Sequence, residues 1–192
     1  MDIVSRYASV NGLNMHYVTA GEGPPVLLLH GFPDTHAVWR RQIPALAAAG
    51  FQVIAPDLRG YGKTDMPPDV GAYAIDFVAD DVLQLMDALG IERATVVGHD
   101  WGAQVGWHLA MHAPQRVSRY AALSVGHPKA LAKSGINQKL RFWYMAVFMT
   151  PVLAETLLRA GNWAALRAMN RSREQQQLWI DALAPQGRLT AA

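Results

Sequence analysis

No cysteine occurs in the 192 residues. Disulfides and thiolate metal sites are thereby excluded, and a reducing, cytoplasmic setting is the expectation. Charge of either sign is sparse: 17 Lys and Arg face 15 Asp and Glu, a net +2. The basic residues are scattered, so nucleic acid is not an expected partner. Long apolar runs are missing too. The longest, Phe142 to Met149, falls far short of the about 20 residues a membrane helix needs. Met1-Asp2-Ile3-Val4-Ser5-Arg6 has no basic region followed by an apolar core, so no signal peptide is read and no membrane partner is expected. There is no internal repeat and no low-complexity segment. Hydrophobic residues nevertheless make up 51% of the chain, which suits one folded domain, or one domain with an insertion, and not disorder.

The order of segments points to an α/β fold. Val4–Val10 and Leu13–Thr19 flank Asn11-Gly12, a strong signal for a two-residue hairpin. Pro25–Leu29 is a continuous apolar run, as expected of a strand buried on both faces of a parallel sheet. A helix is expected over Ala37 to Ala49 with Gly50 as its stop, then a strand over Phe51–Ala55. Ile75, Val78, Val82, Leu85, Met86 and Leu89 recur at helical spacing before Gly90. Thr95–Val97 reads as a strand, Ala103–Met111 as a helix and Val117–Val125 as a strand. This alternation predicts a mostly parallel sheet with helices on both faces. From about Leu131 onward only helices are read, as in a helical insertion. The expected division is a core over residues 1–126 and a partial helical cap over 127–192.

Gly98-His99-Asp100-Trp101-Gly102 lies between a strand and a helix. A small-residue turn in that context thrusts its middle residue out of a strained backbone. Asp100 would stand at the start of a helix, a position that favours an anion. A carboxylate placed so can displace at carbon and leave a covalent alkyl ester. By itself the pentapeptide reads equally well as a helix N-cap Asp. His30-Gly31-Phe32-Pro33 favours the chemical reading. It follows the strand that ends at Leu29, where backbone N–H groups of Phe32 and Trp101 could form an oxyanion hole. His30, Phe32, Pro33 and Trp101 are the expected lining of a substrate pocket, with His30 supporting the loop. Asp57-Leu58-Arg59-Gly60-Tyr61-Gly62 is read as a structural loop whose Asp and Arg hold local backbone. His108 and His112 stand four apart on one expected helix, the spacing of a metal pair. No third ligand is near them in sequence, so neither a metal nor any other cofactor is expected.

With His30-Gly31-Phe32-Pro33, Asp57-Leu58-Arg59-Gly60-Tyr61-Gly62, Gly98-His99-Asp100-Trp101-Gly102 and Ser124-Val125-Gly126-His127-Pro128, the chain resembles the α/β-hydrolase superfamily and, within it, the soluble epoxide hydrolases. The resemblance implies attack of Asp100 on an epoxide carbon, protonation of the ring oxygen by two cap tyrosines, and hydrolysis of the ester by water activated by a His–acid pair. The implied substrate is a small apolar epoxide and the product a vicinal diol. Phe142-Trp143-Tyr144 resembles the place of the first cap tyrosine, which makes Tyr144 the candidate donor. Haloalkane dehalogenases resemble the chain at Trp101 but usually carry Asn where Phe32 stands. Fluoroacetate dehalogenases usually carry Arg where Trp101 stands. A dehalogenase, or a non-catalytic binding homologue, is the alternative reading.

Gly187-Arg188-Leu189-Thr190-Ala191-Ala192 resembles the segment just before the family's second cap tyrosine, and no His follows His127. The expectation is therefore a C-terminally truncated form that lacks the second tyrosine, the orienting acid and the base, and that does not turn over. The strand at Val117–Val125 would then present a bare edge, inviting self-association or a complementing C-terminal chain.

Overall fold

The computed structural model describes residues 2–135, 150–169 and 172–185. Six strands form one sheet: β1 (Val4–Val10), β2 (Leu13–Ala20), β3 (Pro25–Leu29), β4 (Gln52–Pro56), β5 (Ala94–His99) and β6 (Val117–Leu123), in the order β1-β2-β4-β3-β5-β6. The four from β4 to β6 run parallel, and the β1–β2 hairpin joins antiparallel on β4. The hairpin forms as the sequence predicts. Asn11 and Gly12 both take positive φ (48° and 75°), the pairing a type I′ turn requires and that Asn-Gly supplies with least strain.

β3 shows why a buried parallel strand is apolar throughout. Leu27 and Leu29 face a cluster with Ile54 and Val96 of the sheet and with Val78, Val82, Leu85, Val105 and Leu109. Val26 and Leu28 face the opposite cluster with Val53, Ala55, Ile43 and Trp39. The first cluster takes its helical half from α2 (Ile75–Ala88) and α3 (Trp101–His112). The second takes it from α1 (Gln42–Ala48) and the short 3-10 turn His36–Trp39. The result is an α/β sandwich with helices on both faces. At about 25 cal/mol per Å² of apolar area, each fully buried Leu of β3 contributes roughly 2 kcal/mol.

Several boundaries differ from expectation, and two of the differences have a clear local cause. The helix expected over 37–49 is split into the 3-10 turn and α1. Pro44 explains the break: it has no N–H and its ring clashes with the carbonyl four residues back, so it is tolerated only in a first turn. Starting the helix at Gln42 places Pro44 there. β6 stops at Leu123 because Ser124 turns to φ 66°. Asp81 interrupts the apolar face of α2 and is fully buried. Its carboxylate accepts from Arg59 Nε (2.7 Å) and Nη2 (2.6 Å), and Arg59 Nη1 donates to Ala72 O at 2.6 Å.

Beyond β6 the described elements are helices: α4 (Pro128–Ala132), α5 (Pro151–Met169) and α6 (Arg173–Leu183). α5 is broken at Ala160–Trp163, where the backbone leaves helical values. Leu158, Trp163, Leu166, Trp179, Ile180 and Leu183 form a third apolar cluster, and Phe32 of the core packs against it. Among the described residues no helix is long and apolar enough to cross a membrane.

Candidate active site

The parallel pairing of β3 with β5 sets Leu29 opposite Gly98. The segments that follow the two strands therefore emerge side by side. After β5 a single residue, Asp100, turns the chain into α3 with φ 51° and ψ −117°. That backbone is strained for any residue with a Cβ. Its neighbours make it possible. A Cβ on Gly98 would lie 2.3 Å from Gly102 O, and one on Gly102 would lie 2.3 Å from Leu29 O. The turn closes only with hydrogen at both positions.

Asp100 stands at the N-cap of α3, yet its side chain makes no capping bond. Oδ1 instead accepts from the N–H of Phe32 at 3.0 Å. The N-cap reading therefore does not hold. Oδ2 has no hydrogen-bond partner among the described residues. Trp101 is the first residue of α3, and the first N–H groups of a helix have no acceptor within it. A Cβ on Gly31 would lie 2.5 Å from Asp100 Oδ1 and 2.6 Å from Trp101 N, so the loop and the elbow meet only because residue 31 is glycine. Pro33, which follows Phe32 through a cis peptide bond, is buried in the same loop.

His30 holds this loop from beneath. It is fully buried, with Leu58 N donating to Nε2 at 3.0 Å and Nδ1 donating to Gly31 O at 3.2 Å. That network assigns the neutral tautomer protonated at Nδ1. Burial, offset in part by Asp57, pushes the ring from its ordinary 6.5 down to about 4. Between those values the unfolded chain binds a proton that the folded chain refuses. Stability is therefore full above pH 6.5 and falls on acidification toward pH 4, by about 3 kcal/mol from this group. In His30→Gln the acid limb of a Tm-against-pH curve is expected to flatten over that window; an unchanged slope would remove His30 as its source.

Asp57 anchors the layer below. Burial alone would raise its carboxyl; hydrogen bonds from His16 and His36 more than offset this and hold it far below the usual carboxylate range. Oδ2 accepts from His16 Nδ1 (2.8 Å) and Lys63 N (3.0 Å), and Oδ1 from His36 N (2.9 Å) and Nδ1 (2.8 Å). The structural reading of this loop stands, with two histidines added. Potential ligand atoms of His16, His36 and Asp57 lie within 4.8 Å of one another, but the facing ring nitrogens are already engaged with the carboxylate.

Three further residues were not read as part of the site. Asp34 is buried and accepts from Gln175 Nε2 (2.8 Å) and Trp179 Nε1 (2.5 Å), so α6 is tied to the loop that carries Phe32. Burial raises the Asp34 carboxyl above its ordinary range, against the Trp179 hydrogen bond. Tyr61 is buried edge-to-face on His30, with ring centroids 5.0 Å apart. Burial and then the nearby Asp100 and Asp34 charges push its hydroxyl well upward. His99 carries a buried Nδ1 without a hydrogen-bond partner among the described residues. Nothing local marks Asp34: His30-Gly31-Phe32-Pro33-Asp34 reads as a turn, and its partners lie more than a hundred residues away. Tyr144 lies outside the described residues.

Comparison with known proteins identifies the fold family. The family model described as alpha/beta hydrolase fold matches residues 24–178. The chain is 38% identical over 166 residues to the AB hydrolase superfamily protein YfhM of Bacillus subtilis, covering 84% of this chain and 58% of that one. It is 41% identical over 152 residues to Epoxide hydrolase 2 of Siraitia grosvenorii, covering 77% and 48%. The crystal structure of an epoxide hydrolase from Vigna radiata superposes with a TM-score of 0.84 at 33% identity, covering 98% of this chain and 70% of that one. The chain thus spans about half the length of the curated relatives it matches. A family model aligned from the glycine-bearing loop before β3 into α6, on a sheet whose sharp β5–α3 turn presents a carboxylate to a backbone N–H, leaves one assignment: the chain belongs to the α/β hydrolase fold family.

Proposed function

We propose that Asp100 is the nucleophile of an epoxide-opening reaction on a small apolar epoxide. Oδ2 attacks a ring carbon, the C–O bond breaks, and the departing oxygen takes a proton, with Tyr144 as the candidate donor. Water then cleaves the alkyl ester, releasing a vicinal diol and restoring the carboxylate. One observation carries this reading: Oδ1 is held by Phe32 N–H at 3.0 Å while Oδ2 has no partner among the described residues, on a strained turn. In the ester, Phe32 N–H and Trp101 N–H would serve the carbonyl oxygen as it gains charge, the role of an oxyanion hole. Phe32, Pro33 and Trp101 line the pocket in this reading; His30, expected among them, is fully buried with both ring nitrogens bonded to backbone and supports the loop from beneath. Relatives named as epoxide hydrolases support the same class. Phe32 and Trp101 stand where dehalogenases of this type usually carry Asn or Arg, which favours an epoxide over a halide. We also take residues 127–192 as a partial cap over a core of 1–126, supported by the separate apolar cluster of α5 and α6.

The second step requires a base. Among the described residues the imidazoles of His16, His30 and His36 are engaged with Asp57, Leu58 and Gly31, and His127 accepts from Lys129 N. His108 faces Asp76 of α2, and His112 Nδ1 donates to His108 O. Incubation of the 192-residue chain with styrene oxide is therefore expected to build a stable adduct on the peptide bearing Asp100, read by intact mass and peptide mapping, without steady diol release. No adduct, or an adduct on another residue, would sink the nucleophile assignment. Halide release from 1-bromobutane without epoxide labelling would move the chain to the dehalogenases. Steady diol release that His99→Ala abolishes would put the base next to the nucleophile.

A further inference from the structure

Ser5 Oγ lies 2.8 Å from His16 Nε2, and His16 Nδ1 lies 2.8 Å from Asp57 Oδ2. Three strands build this line. β1 pairs with β2 so that Ser5 faces Val18 and Tyr7 faces His16, which makes Ser5 and His16 diagonal neighbours on one face of the hairpin. β2 pairs with β4 so that Tyr17 faces Pro56, and Asp57 N continues the ladder by donating to His16 O at 2.9 Å. His16 N donates in turn to Thr64 Oγ1 at 3.0 Å. Tyr7 and His36 pack edge-on against the imidazole, each with ring centroids 5.1 Å away. The ring is thus fixed in position and plane. Ionised Asp57 can only accept, so Nδ1 carries the ring proton and Nε2 turns its lone pair to the Ser5 hydroxyl. This is the hydrogen-bond order of a serine nucleophile, its base and the acid that orients the base, an arrangement recognised by geometry and not by chain order. Burial fits the same roles: Ser5 is exposed, while the side chains of His16 and Asp57 are 1% and 0% exposed.

We propose that Ser5, with His16 as its base and Asp57 as the orienting acid, is a second nucleophile that accepts acyl groups from activated esters. Ser5 Oγ adds to the acyl carbon as its proton passes to His16 Nε2. The bond from that carbon to the ester oxygen then breaks, and the departing oxygen takes the proton from His16. An aryl ester therefore leaves acyl-Ser5, a phenol and a neutral imidazole. A neutral hydroxyl beside a base suits addition to a carbonyl, whereas a carboxylate such as Asp100 suits displacement at a saturated carbon. β1 is the outer strand of the sheet, and an edge strand presents unpaired backbone N–H groups to which a carbonyl oxygen can bond. Four strand spacings, about 19 Å, separate β1 from the strand that leads to Asp100. The site stands apart from the proposed epoxide chemistry.

The test is incubation of the 192-residue chain with p-nitrophenyl acetate, read as a burst of nitrophenol and by peptide mapping. One acetyl group is expected on the peptide bearing Ser5. Ser9 is the internal control: it is exposed on the same strand but faces Asn14 instead of a histidine, and it should stay unmodified. Loss of a positioned base costs on the order of 10²-fold or more, so Ser5 should be acetylated at least about 100-fold faster than Ser9. Ser5→Ala changes only an exposed side chain and should remove the burst while keeping the Tm and the epoxide adduct on Asp100. Asp100→Asn should keep the burst, which separates failure of this site from failure of the nucleophile assignment at the elbow. No acetyl on Ser5, equal labelling of Ser5 and Ser9, or a burst that survives Ser5→Ala would each overturn the proposal.

Discussion

Asp100→Asn is expected to abolish covalent capture of an epoxide while leaving the chain folded. Asn keeps the carbonyl-type Oδ1 that Phe32 N–H reaches at 3.0 Å. It also tolerates positive φ better than most residues with a side chain, as the elbow requires at φ 51°. What it loses is the negative charge and the nucleophilic Oδ2. Removing a nucleophile outright costs on the order of 10⁴-fold or more in rate, so adduct formation should fall below detection in intact mass spectra. Thermal unfolding should move little, because Asp100 makes no capping bond to α3. Labelling of the Asn variant at the parent rate would show that another group attacks. Loss of labelling together with loss of the folded transition would instead assign Asp100 a structural task.

Gly102→Ala is expected to damage stability and chemistry together. The added methyl would meet Leu29 O at 2.3 Å and His30 O at 2.4 Å. Both are backbone atoms at the end of a central strand and cannot swing aside, so α3 must lift from the sheet. Overpacking of this kind costs about 3 kcal/mol, read as a lower midpoint in urea unfolding. The same displacement carries Asp100 away from Phe32 N–H, and a misplacement of about 1 Å lowers reactivity on the order of 10²-fold. Gly126→Ala is the control, since its methyl would meet only Leu131 Cδ2 at 4.0 Å and should be near neutral. A Gly102→Ala variant as stable as the parent would mean that the elbow does not need hydrogen at position 102.

Sequence patterns proved readable where one local constraint dominates. Asn11-Gly12 specified its turn because two successive positive φ values admit few residues. Val26 to Leu29 specified a two-faced strand because both clusters draw on it. The elbow was legible from its glycines. Pro44 alone sets the start of α1, because its ring confines it to the first turn, whereas the apolar spacing around it runs on without a break. The rest of the site was hidden for a different reason. Asp57 is held by His16 and His36, Asp34 by Gln175 and Trp179, and His108 faces Asp76. These pairings join side chains that no helical or strand period relates, so only the fold brings them together.

The place of β3 in the sheet also orders events in time. It lies between β4 and β5, both of which follow it in the chain. During synthesis its residues emerge before either flank exists. The loop after Leu29 can acquire its final register only once Ala94–His99 has returned from a crossover of some sixty residues and paired alongside. Closing such long parallel connections is slow. The contact between Phe32 and Asp100 should therefore be among the last to form as the chain folds, and among the most sensitive reporters of whether folding has finished.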